Sequence, residues 1–201
     1  MTLISVSNNA LSGITALPAS IPTGALTLLS TQTASASATI SFTTGLDSTY
    51  SSYVFKFIDI HPANDGIAFQ FNMSTDGGSN YNVTKTTTAF RAGHKENDTE
   101  TFFQYRTTDD LAQGTGYQTL HLNSGNQNDQ CMSGTLEVFN PSSTVFVKHF
   151  IARFQSSAEA DWSQEYYVAG YGNTTSAVDA VSFKFISGNI DDGIIKLYGV
   201  S

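Results

Sequence analysis

Apolar and polar residues alternate with a period of two over much of the chain. Ile67-Ala68-Phe69-Gln70-Phe71-Asn72-Met73-Ser74 and Val181-Ser182-Phe183-Lys184-Phe185 show it most clearly. That period places successive side chains on opposite faces, so one face of each strand is buried and the other is wet. Tyr53-Val54-Phe55-Lys56-Phe57-Ile58 is richer in apolar residues and reads as a more central strand. Weaker segments of the same kind fall at 26–30, 38–43, 84–91, 101–106, 117–123, 134–139, 145–154, 165–170 and 193–200. No window carries a sustained helical period; 109–113 could form one helical turn.

Turn chemistry separates these segments. His61-Pro62-Ala63-Asn64-Asp65-Gly66 joins two strong strands and carries an Asp-Gly hairpin signal. Asp76-Gly77-Gly78-Ser79-Asn80, Asn140-Pro141-Ser142-Ser143 and Ser187 through Gly193 read the same way. The Gly/Asn/Gln-rich stretch 123–130 reads as a long exposed loop. Many short strands between polar turns predict an all-β protein, a two-sheet antiparallel β-sandwich of jelly-roll type. No internal repeat supports a propeller or solenoid.

Residues 1–24 differ from the rest. Leu3, Ile4, Val6, Leu11, Ile14, Leu17 and Ile21 follow no period, and Gly13, Pro18, Pro22 and Gly24 interrupt them. Such a segment cannot bury itself and reads as an extended N-terminal arm for anchoring or assembly, with the sandwich domain spanning 25–201. It has neither the positive n-region nor the long apolar core of a signal peptide. No apolar run is long enough for a membrane-spanning helix.

Composition narrows the function classes. The chain has 201 residues, only 13% of them charged, with a formal net charge of −8. Its few basic residues are scattered, which argues against nucleic acid, whose binding rests on clustered Lys and Arg, and against anionic lipid surfaces. Hydroxyls and amides replace charge, and they suit neutral hydrogen bonds to a neighbouring subunit or to sugars. The single cysteine, Cys131, allows neither an internal disulfide nor a multi-cysteine zinc site.

Candidate chemistry is sparse. The chain lacks the serine-hydrolase elbow, P-loop, dinucleotide-binding glycine motif and H-E-x-x-H. Ser187-Gly188-Asn189 has the letters of a hydrolase block but sits in a turn. His61, His94, His121 and His149 are far apart in sequence, without the close pair of a cupin-like metal site. Asp109-Asp110 and Asp191-Asp192 could serve a glycosidase or calcium, yet turn-forming Asp explains both. Glu159, Asp161 and Glu165 surround Trp162 and read as solvated. The four N-x-[ST] matches, at Asn72, Asn82, Asn97 and Asn173, read as chance in a chain rich in Asn and Thr. No catalytic residue, metal ligand or cofactor site is assigned. One cluster, Trp162, Tyr166, Tyr167 and Tyr171, suits sugar stacking or protein contact, against the alternative that half of these rings lie in the core.

Three segments resemble a family of marine tailed-bacteriophage structural proteins, often seen as C-terminal domains of tail-fibre-like proteins. They are Thr39 through Tyr53, Phe71 through Tyr81 (similar to that family's central hairpin), and Ser187-Gly188-Asn189 continuing through Lys196 to Ser201. The resemblance covers about residue 25 to the end. It implies a non-enzymatic virion surface protein, expected to be a homotrimer contacting major capsid or tail proteins. A short arm with one sandwich favours capsid decoration. The alternative is a tail-fibre or receptor-binding protein that adheres to host-surface polysaccharide.

Overall fold

The computed structural model describes residues 25–201; the arm expected at 1–24 lies outside the described residues. The described chain is all-β, without a helix. Its twelve strands are β1 (Leu26–Thr33), β2 (Ile40–Phe42), β3 (Ser52–Pro62), β4 (Ile67–Ser74), β5 (Lys85–Lys95) and β6 (Thr101–Tyr105), then β7 (Gln118–Ser124), β8 (Met132–Phe139), β9 (Lys148–Ala158), β10 (Trp162–Gly172), β11 (Ala180–Phe185) and β12 (Ile190–Val200). Each falls on a segment marked by alternation. The helical turn considered at 109–113 does not form. Leu111 instead exchanges bonds with Thr87, its N–H donating to Oγ1 and its carbonyl accepting from the Thr87 N–H.

All pairings are antiparallel and link the strands into one sheet, nearly closed into a barrel. Eight strands run β1-β12-β3-β8-β9-β10-β5-β6, and four run β2-β11-β4-β7. A single residue pair, Ser124–Ala158, joins the two runs at β7 and β9. The sheet therefore turns back on itself there, and the inner faces meet. Phe57 of β3 packs against Phe69 of β4 and Phe183 of β11, with ring centroids 5.7 and 4.9 Å away. Phe71 of β4 meets Phe150 of β9 at 4.9 Å. These rings are the inward members of the period-two pattern and form the centre of the core.

The turn signals misreport the pairing. The Asp65-Gly66 turn exists, with Gly66 at φ 64, but β3 and β4 do not pair. The segments 76–80 and 187–193 likewise connect unpaired strands, so Phe71 through Tyr81 is not a hairpin; only 140–143 closes one. The consecutive pairs β5–β6, β8–β9 and β9–β10 are hairpins; every other connection passes between the two runs. A turn's local chemistry fixes a change of direction, whereas partner choice depends on which faces become buried together.

Candidate functional site

Strand β10 carries all four aromatic residues singled out above, and alternation splits them between faces. Tyr166 is fully buried: its hydroxyl donates to Asp109 Oδ2, and its ring lies 5.7 Å from that of His121. It is a core residue and leaves the surface set, because position 166 shares the inward face with Val168 and Gln164. Tyr167 and Tyr171 point outward. Tyr167 stacks on Phe90 at 4.8 Å with Arg153 5.3 Å above its ring, while Tyr171 lies 6.1 Å from His149. Trp162, half-buried at the start of β10, packs 5.1 Å from Phe102 of β6.

Trp162 lines a cavity of about 450 Å³ where β5, β6 and β10 meet the ends of β7 and the β9–β10 turn. Arg91 crosses it, donating to Gln104 Oε1 (3.2 Å) and Gln164 Oε1 (3.3 Å), with its guanidinium 4.6 Å over the Phe102 ring. Burial, then the charge of Arg106, lowers the Arg91 pKa from its ordinary value. The Phe102 ring lies across β5 because residue 93 is glycine: a Cβ there would come within 2.3 Å of Cζ. Glu100 and Glu159 supply carboxylates to the rim, and Asn123 an amide. Asn123, Ala160 and Asp161 have φ of 60, 60 and 62°. Left-handed backbone at non-glycine residues costs free energy and concentrates at functional sites.

Beneath this cavity runs a buried polar network that the sequence did not announce. Asp109 accepts from Arg106 Nε (2.8 Å) and from Tyr166, and Gln118 donates to the Asp109 carbonyl (2.7 Å). Of the Asp109-Asp110 pair, Asp110 turns away to the Tyr105 hydroxyl at 2.7 Å. His121 Nε2 and the Ser156 hydroxyl are 2.8 Å apart, with Ser124 on Nδ1 at 3.2 Å. This has the outline of a nucleophile and base. Burial, and secondarily Arg91, pushes the imidazole down to about 3, so it is neutral and too weak a base to activate a hydroxyl, and it is fully enclosed.

Two lysines are also buried. Lys85 Nζ donates to Asn72 Oδ1 (2.5 Å) and the Val83 carbonyl (2.7 Å), and burial pushes its pKa down to about 7. Lys148 Nζ caps the Phe146 and Thr174 carbonyls at 2.7 and 3.2 Å. The only hint of Lys85 was its place on the Thr87–Ala89 face of β5, since lysine is ordinarily assigned to solvent.

The remaining candidates do not converge. His61 lies 3.8 Å from Asp191, and His94 lies 2.9 Å from Asp98, both at the surface. Asp59, His61, Asp191 and Asp192 border a second cavity of about 440 Å³ that also reaches Cys131. Among the described residues no group of three or more His, Cys, Asp or Glu is placed to hold a metal. Burial, then Asp59, raises the Cys131 pKa, which keeps it a thiol and a poor nucleophile. On the outer face, Tyr171, His149, Ile151, Phe139, Thr86 and Thr88 surround a shallow hollow of about 500 Å³ lined mostly by carbon. No protein-family model matches the chain, and no curated protein matches it.

Proposed function

We propose that this chain is a non-enzymatic surface protein of a tailed-bacteriophage virion, and that residues 25–201 are an adhesion module. The fold reading behind this is a jelly-roll sandwich. The order β2-β11-β4-β7 opposite a run containing β3-β8 and β5-β6, with connections that cross between them, supports it. Jelly rolls recur in capsid and lectin domains, which is an analogy of fold and carries no site with it.

The Trp162 cavity carries the functional part. It combines an aromatic wall, a desolvated guanidinium and several amides above a hydrogen-bonded interior, on a backbone left-handed at two lining residues, Asn123 and Ala160. That combination favours the receptor-binding role over capsid decoration, which rests on the arm at 1–24. In either role the partners are other virion proteins and further copies of the chain in a homotrimer.

Saturating purified protein should reduce adsorption of particles carrying it to their host cells. Unchanged adsorption, together with labelling spread over the capsid, would replace adhesion with decoration. Protein absent from purified particles would refute both.

A further inference from the structure

We propose that the Trp162 cavity binds a hydroxyl-rich sugar residue of a cell-surface polysaccharide. This rests on the adhesion reading and specifies its ligand.

The argument starts from hydrogen-bonding capacity left over. Gln164 is only 2% exposed and lines the cavity. Its Oε1 accepts from Arg91, and its NH₂ group has no protein partner among the described residues. The Gln104 amide is arranged alike, with Oε1 taken by Arg91 and NH₂ unused. The Asn123 side chain makes no hydrogen bond to a described residue, and Glu159 has no cation partner there. The wall therefore offers donors from three amides and acceptors from Asn123 and Glu159, beside the rings of Phe102 and Trp162. A sugar hydroxyl both donates and accepts, and the carbon face of a pyranose packs on aromatic rings. The volume, about 450 Å³, is within the range of small-ligand sites.

Charge in the cavity is balanced. Arg91 bonds the neutral Gln104 and Gln164 amides and faces the Phe102 ring, without a carboxylate partner among the described residues. Lys95, which lies over the Trp162 ring, is tied to Glu100 at 3.1 Å. The uncompensated charges of the cavity are therefore one of each sign, the Arg91 guanidinium and the Glu159 carboxylate, which leaves recognition to the hydroxyls and the carbon face of the sugar.

Affinity electrophoresis through gels containing neutral polysaccharides (dextran, mannan, galactan) or acidic ones (alginate, chondroitin sulfate) tests this. At least one of these polymers should retard the protein. Trp162→Ala and Glu159→Gln should each weaken retardation about ten-fold or more, roughly 1.4 kcal/mol, whereas Tyr171→Ala, outside the cavity, should not. Glu159 lies in an exposed turn, so its variant keeps the fold, checked by the melting temperature. Retardation by none of the panel, or with loss at Tyr171 instead of Trp162, would overturn the inference. Competition for adsorption that persists alongside such a result would leave the adhesion reading standing.

Discussion

The interior has two halves built on different physics. Between β3 and the β4–β11 pair, phenylalanines fill the space: Phe55, Phe57, Phe69, Phe71 and Phe183 are fully or almost fully buried and meet mostly edge to face. Among β5, β7, β9 and β10, the same depth holds His121, Tyr166, Gln118, Lys85 and Ser156. The apolar half gains from area removed from water and from ring contacts, each pair adding about 0.5–1.5 kcal/mol. The polar half gains little net stability, because its hydrogen bonds replace bonds to water. What it provides is orientation: each buried polar group must sit where its partner is. The candidate cavity lies over that half. There Gln164 and Arg91 bond each other at 3.3 Å.

The largest expected effect is on the apolar side. Phe57→Ala removes a ring that meets Phe69, Phe154 and Phe183, and should cost about 3–5 kcal/mol. Denaturant unfolding should show this loss equally at pH 6 and pH 9, since no titrating group is involved. A pH-dependent loss would mean that the two halves are not energetically separate.

The polar half should respond to pH. Lys85 has an ordinary pKa of 10.5 and a folded value of about 7, so between those values the unfolded chain binds more protons. Stability from this group therefore rises from pH 7 to pH 10.5 and is lost as pH falls, by on the order of 3–5 kcal/mol for the shift. Burial lowers the Lys148 pKa too, which adds to the slope with the same sign. Lys85→Met should flatten most of that slope in unfolding free energies measured across this window. A variant with the wild-type slope would show that the amine is hydrated in the folded protein.

The smallest effect concerns the rim. Ala160→Gly removes a left-handed alanine and should stabilise by about 0.5–1 kcal/mol. If the strain shapes the cavity, sugar binding weakens while thermal stability rises. A variant that gains both would assign the strain to hairpin closure alone.

How much of this could be read beforehand differs between strands and partners. The alternation in Ile67–Ser74 gave β4 its bounds, and every strand lies on a segment that alternation marked. The hairpin signal at Asp65-Gly66 failed, because a two-residue preference says nothing about whether the next strand continues the ladder or crosses to the other run. Trp162 was singled out by its polar neighbourhood, and it lines the cavity. Arg91, Gln104, Gln164 and Asn123 were not, since they come from four separate strands and become neighbours only through the β5–β6, β5–β10 and β7–β9 pairings. Tyr166 and Tyr167 are adjacent in sequence and opposite in fate, and their ring chemistry could not say which faced inward.

Side-chain period and turn residues, both local properties, were enough to determine an all-β chain of many short strands with little surface charge. Which strands pair, which polar groups are enclosed, and where amides converge beside Trp162 depend on contacts between distant segments. Those contacts are chosen by the joint burial of whole faces, a quantity that no stretch of sequence carries alone.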